Sequence, residues 1–239
     1  MKALDYSIKF YRENANFVLL FSIPFLLAFI IPSLVSGPNY VALGGVFLRT
    51  GSIPDIEPVG AAITLIAYLV SMFIIAESIV NITLLIKTKR VQNNPSKELM
   101  AGMEKYGITV FLAYTLAALL ILVFQLLTFD MDYRTIVLPI MMLLVSMCMF
   151  FVPQAMVIDE YNLGQALDGS VSMVRKKFPE VFLWMLIGTV LLTLSELVLF
   201  LLPHPFGTIA VLLVNSLVIM PFLIIYQAQI YMSKYGLAD

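Results

Sequence analysis

Charge is what this sequence has least of. Across 239 residues only 12% are Asp, Glu, Lys or Arg, against 61% hydrophobic, whereas soluble domains carry about 25% charge. A chain so composed cannot clothe a globule in polar side chains, which excludes a water-soluble fold and points to a membrane. One cysteine excludes an intrachain disulfide framework or a multi-cysteine zinc site. The one histidine, His204, sits between two prolines and has no second histidine for a metal site or catalytic dyad. A net charge of −1 gives no reason to expect a nucleic-acid partner. No Gly-rich phosphate loop is present, and no cofactor is expected.

What is there is apolar and comes in long runs. Six are long enough to span a bilayer: Asn16 to Val35, Val59 to Ile86, Gly107 to Phe129, Thr135 to Ile158, Val181 to Leu202 and Phe206 to Met232. They lack the period-two alternation of barrel strands, so backbone groups in hydrocarbon must be satisfied within helices. The expectation is an all-α polytopic membrane protein with six transmembrane helices in a single domain. The first run follows Asp5 and Glu13 and has no clear small-residue cleavage site, so it reads as a span rather than a signal peptide. Between the first two runs, "SGPNYVALGGVFLRTGSIPDIEP" is broken by Gly and Pro into a loop.

Twelve of the fourteen Lys and Arg residues fall on one side of this arrangement, and only Arg49 and Arg134 fall opposite. The positive-inside rule then places both termini in the cytoplasm of a cell membrane. Trp184, Tyr11, Tyr106, Tyr161, Tyr231 and Tyr235 cluster on that side, as rings with an apolar body and a polar tip do at an interface.

The chain also repeats itself. Residues 3 to 20 align on residues 166 to 183, with identities at Ala3/Ala166, Leu4/Leu167, Asp5/Asp168, Ser7/Ser170, Arg12/Arg175, Val18/Val181 and Leu20/Leu183. Apolar residues recur at helical spacing in each copy: Leu4, Ile8, Tyr11 and Ala15, then Leu163, Leu167, Val171 and Val174. Both segments therefore read as interfacial amphipathic helices that bend into a span. Asn162 and Gln165 have the spacing of a capping box. A fainter third copy begins at Ser96, with Leu99, Met100 and Met103 on one face. At the far end of each unit, "IVNITLLI" from Ile79, "FVPQAMVI" from Phe151 and "IMPFLIIY" from Ile219 align without gaps, which makes Asn81, Pro153 and Pro221 equivalent. Three parallel units follow, about 1–90, 91–160 and 161–239, each an amphipathic helix plus a helical hairpin.

The segment "ALDGSVSMVRKKF" leading into a span, with a "VPQAMV"-type inward helix, resembles the six-helix membrane domain associated with some glycerophosphodiester phosphodiesterases and its stand-alone prokaryotic relatives. The likeness rests on helix order and on residues 162 to 178. It implies a compact membrane module. In that family the phosphodiesterase chemistry belongs to a separate soluble domain, so no catalytic residue carries over.

Polar groups at membrane depth are costly and mark candidate sites. Glu77 has Asn81 one turn on. Glu196 shares a helical stripe with Thr189 and Thr193, and Asn215 in the last run stands near its depth, so a Glu196–Asn215 contact is expected, with the stripe facing inward. Met147, Cys148 and Met149 offer soft sulfur ligands, but consecutive helical positions diverge by about 100°, so no metal site is expected. Asp159 and Glu160 read as a solvated helix end.

Three classes of function remain. The first is a non-enzymatic module that engages membrane lipids, or a membrane or cytoplasmic protein partner, through a basic surface of Lys9, Arg12, Arg175, Lys176 and Lys177. The second is a small transporter or lipid-handling protein with a cavity lined by Glu77, Asn81, Glu196 and Asn215. The third, an intramembrane enzyme, lacks a nucleophile–base set. The first is favoured.

Overall fold

A computed structural model describes residues 2–33, 40–43, 46–49, 58–91, 95–199, 201–203 and 206–235. It is an all-α polytopic membrane protein, with one small hairpin of strands beside the helices. In chain order the elements are α1 (Lys2–Glu13), α2 (Ala15–Ser33), β1 (Tyr40–Leu43), β2 (Val46–Arg49), α3 (Pro58–Val91) and α4 (Pro95–Leu127). There follow α5 (Arg134–Met149), α6 (Val152–Ile158), α7 (Leu163–Lys176), α8 (Phe178–Leu199), α9 (Phe206–Val214), a π-helical turn (Asn215–Ile219) and α10 (Met220–Met232). Five helical stretches are long and apolar enough to cross a membrane, and six if the α1–α2 pair, bent by 93°, counts as one. The hairpin pairs Tyr40 with Arg49 and Leu43 with Val46.

Burial is concentrated at the end that carries the basic residues. α6 and α10 are buried almost throughout, and so is α3 from Ile75 to Ile86 apart from Glu77. Towards the other end, α5 has no buried residue before Met149, α8 none after Gly188, and α9 only Gly207. The stretches of α3, α6 and α10 that run towards the basic end form the centre, with α3 packed on both others. Shorter helices lie around them: α1 against α10, α7 against α6, and the first turns of α4 against α3.

Two glycines set the α3–α4 approach. A Cβ at Gly102 would stand 2.7 Å from Leu84 Cδ1, and one at Gly107 would overlap the Glu77 carboxylate. A side chain at either position would have to displace the end of Leu84 or of Glu77, so the two glycines ease the close approach of the α4 backbone.

Prolines explain the central breaks. Pro153 and Pro221 cannot donate to the carbonyls four residues back, and their rings crowd them. Accordingly, the fourth span breaks at Phe150–Phe151 before α6, and the last widens into the π-helical turn before α10. In the first unit Asn81 holds the same aligned place, and α3 runs unbroken through it.

Candidate functional site

The two aligned segments fold alike, and their breaks fall at aligned positions. α1 ends at Glu13 with a turn at Asn14, and α7 ends at Lys176 with a turn at Lys177. Asn14 and Asn16 are poor interior helix residues, and Pro179 withholds a donor from the carbonyl of Arg175. The capping box forms as its spacing predicts, with Asn162 Oδ1 accepting from Gln165 N at 3.0 Å and Asn162 N donating to Gln165 Oε1 at 3.3 Å. The third copy differs. With Tyr106 and Gly107 where the other segments have Lys177 and Phe178 or Asn14 and Ala15, α4 continues from Pro95 into its span without interruption.

The expected faces pack in part: Leu4 and Tyr11 in α1 and Leu163, Leu167 and Val174 in α7 lie in or against the core, but the packed faces also take in residues the apolar spacing omits. Ile8 is 53% exposed. In α7 the buried residues are Ala166, Ser170, Met173 and Val174; in α1 Ser7 is buried, and Ala3, Phe10 and Tyr11 pack against the core. These are the same four aligned places. The recurring Ala-Leu-Asp-x-Ser pattern thus supplies the small residues that let each helix lie close, while Asp5, Asp168, Arg12 and Arg175 remain exposed.

Each helix is also bonded into a proline-made defect. Tyr11 Oη donates to Leu217 O at 2.9 Å, the carbonyl that Pro221 leaves without a helical donor. The backbone N–H of Phe151, at the other break, donates to Ser170 Oγ at 2.9 Å. Beside it, Gln227 Nε2 donates to the Phe150 carbonyl and Gln227 Oε1 accepts from Gln154 Nε2 at 3.1 Å. Phe150 stacks edge-on to Trp184, whose indole N–H donates to Leu223 O at 2.7 Å. Trp184 and Tyr231 are buried core residues.

The basic end is held by ion pairs that converge on the close of α6. Glu160 takes Lys87 at 3.1 Å and Lys105 at 2.8 Å, and Lys87 also donates to Val157 O at 2.9 Å. These two ammonium groups hold the Glu160 carboxyl at about 2, well below the usual carboxylate range; the hydrogen bond from Lys105 is the larger cause. Asp159 corrects the expectation of a solvated helix end. Its side chain is 3% exposed, accepts from Tyr231 Oη at 2.5 Å, and pairs with Lys234 and the Tyr235 hydroxyl. Two acids at the negative end of a helix are unfavourable alone; lysines from α3, α4 and the residues after α10 offset them.

Of the five basic residues singled out in the sequence, Lys177 is paired with Glu180 at 3.4 Å and Lys9 approaches Glu13 at 3.9 Å. Arg12, Arg175 and Lys176 are exposed and make no ion pair among the described residues.

The intramembrane candidates do not gather. Glu77 and Asn81 lie on one turn of α3, with Glu77 over Gly107. Thr189, Thr193 and Glu196 are exposed on the outside of α8 rather than facing inward. Asn215 accepts from Ser195 Oγ at 2.8 Å, not from Glu196; adjacent helical residues diverge by about 100°, so when Ser195 faces the π-helical turn its neighbour cannot. α8 also ends at Leu199 rather than Leu202. Glu196 then stands three residues, about 4.5 Å, from the helix end, and its carboxylate can reach the membrane surface by extending outward.

Asp159, Gln154 and Gln227 were missed as structural centres. The available signal was three polar residues inside or beside otherwise apolar segments that run towards the basic end. Met149 is buried and Cys148 exposed, so the adjacent sulfurs diverge. Among the described residues no group of three His, Cys, Asp or Glu is placed to hold a metal, and His204 lies outside them. No protein-family model, no curated protein and no solved structure matches this chain.

Proposed function

We propose that the chain is a non-enzymatic membrane module that engages anionic lipid head groups at its basic face, through the bends between α1 and α2 and between α7 and α8. One observation carries this reading: Arg12 and Arg175 occupy the same aligned place, exposed and without an ion pair among the described residues, on helices that are bonded into the central helices. A head group drawn to either bend would pull on a helix attached directly to α6 or to the π-helical turn. Anionic lipid is the partner such guanidinium groups favour, each basic residue near a charged leaflet contributing about 1 kcal/mol.

The same reading makes the basic end cytoplasmic, with six spans and both termini on that side of a cell membrane. It also takes the chain as three repeats, 1–90, 91–160 and 161–239. The support is the cyclic packing of α1 on α10, α7 on α6 and the start of α4 on α3. The resemblance of residues 162 to 178 to the phosphodiesterase-associated membrane domain fits a module that works beside a partner protein. The transporter alternative loses its proposed lining, since Glu77, Asn81, Glu196 and Asn215 are not brought together.

The test is lipid retention. Protein extracted from mixed phosphatidylglycerol and phosphatidylcholine bilayers should carry phosphatidylglycerol selectively in native mass spectrometry. The combined Arg12→Gln, Arg175→Gln, Lys176→Gln variant should lose that preference by up to on the order of a hundredfold. Equal retention by both proteins would overturn the proposal. External thiol labelling at Ser52→Cys but not at Lys97→Cys checks the orientation, and the reverse pattern would invert it.

A further inference from the structure

α3 carries a second polar feature, independent of the basic bends. Glu77 is partly buried on the α4-facing side of α3, and none of its oxygens has a hydrogen-bond partner among the described residues. Asn81, one turn on, is 5% exposed, and its Oδ1 is buried with no partner. Residues four apart share a helix face and can touch. The site therefore brings together oxygen acceptors; the donor carried within the pair itself is the Asn81 amide NH2, and no described hydrogen bond joins it to Glu77. Gly107 forms its floor, because any side chain there would overlap the carboxylate.

The surroundings offer little to neutralise a carboxylate. Of the elements packed on α3, α2, α6 and α10 contain no Asp, Glu, Lys or Arg. From α4 the described charged side chain near this level is Lys105, whose ammonium is engaged by Glu160 at 2.8 Å. Lys87, on α3 itself, is bound to Glu160 and to Val157 O. An ionised group left without donors in such a place is costly. One added proton resolves both deficits at once, turning the carboxylate into a neutral acid with an O–H to give and an acceptor one turn away to receive it.

We propose that Glu77, Asn81 and Gly107 form a proton-binding site, in which the Glu77 carboxyl takes one proton from water and donates its O–H to Asn81 Oδ1. Losing that proton restores a charge against the α4 backbone and requires water to enter between α3 and α4, so proton occupancy is coupled to how closely these helices pack.

Infrared spectroscopy of the whole protein in lipid bilayers at neutral pH tests this. The wild type should show the carbonyl stretch of a protonated carboxyl group, shifted in D2O and absent from Glu77→Gln. In Asn81→Leu the band should persist at a higher frequency, because its hydrogen bond is gone. Should Glu77→Gln not fold, Glu77→Asp keeps the acid on a shorter stem and should move the band rather than abolish it. A Glu77→Gln difference spectrum that loses a carboxylate stretch and no carboxylic acid band overturns the proposal. So does a band unmoved by Asn81→Leu.

Discussion

The hydroxyl of Tyr11 donates to the carbonyl of Leu217 at 2.9 Å, an acceptor that Pro221, four residues later, has no N–H to serve. α1 thus mends a defect that the proline makes in a central helix some two hundred residues away in sequence. Tyr11→Phe removes the donor and keeps the ring, and should cost about 1 to 2 kcal/mol in detergent unfolding. Pro221→Ala gives Leu217 a helical donor again, so the cost of Tyr11→Phe should shrink in that background. An equal cost in both backgrounds would separate the bond from the proline.

Asp159 joins the end of α6 to the residues after α10. Asp159→Ala leaves Lys234 and two phenol groups without their acceptor, and should destabilise by about 1 to 3 kcal/mol. Tyr235→Phe removes one of those donors and should cost less than Asp159→Ala. Thermal unfolding in detergent provides the comparison.

Glu160 makes a pH-dependent contribution. Its carboxyl is held at about 2 in the fold, below its usual value near 4.3 in an unfolded chain. Its stabilising effect is therefore complete above that unfolded value and is lost as pH falls from about 4.5 towards 2. The pairs are exposed and screened by salt, so the effect is small. Glu160→Gln should lower the melting temperature slightly at pH 7 and flatten the melting profile between pH 4.5 and 2. A mutant profile parallel to the wild type throughout that window would contradict the assignment.

Gly107→Ala introduces a side chain where the Glu77 carboxylate sits, and should cost about 1 to 3 kcal/mol through overpacking. Glu77→Ala should relieve the clash, so the double variant should be more stable than the sum of the two single losses predicts. Gly102→Ala meets only the movable end of Leu84 and should be milder. Unfolding of the four variants under one set of conditions decides the order.

The helices were legible because their signal is strong. Apolar runs of about twenty residues admit one backbone solution in hydrocarbon, and the capping box at Asn162 and Gln165 is a local device whose spacing determines its geometry. The side-chain partners were less legible, since they depend on rotation about a helix axis. Asn215 bonds Ser195 rather than Glu196, and the packed faces of α1 and α7 were only partly legible because Ser7 and Ser170 read as polar and are buried. A hydroxyl that bonds a backbone group within its own packing surface escapes any reading based on hydrophobic periodicity. Asp159 was misread for a related reason: its partners, Lys234 and two tyrosines, come from a segment more than seventy residues later. The hairpin at Tyr40 to Arg49 was missed because a length-of-run criterion discards short strands.

The uneven burial of this bundle divides the work of cohesion between protein and bilayer. Where α3, α6 and α10 meet, contacts within the chain hold the helices in register. Along the far portions of α5, α8 and α9 few residues are buried, and much of the surface there is left to acyl chains, which do not fix an angle. A bilayer that thickens or thins can then be met by tilting those far portions while the basic end keeps its shape. The molecule should behave as a stiff hub with compliant spokes, so its footprint would follow bilayer thickness while the geometry of its charged face would not.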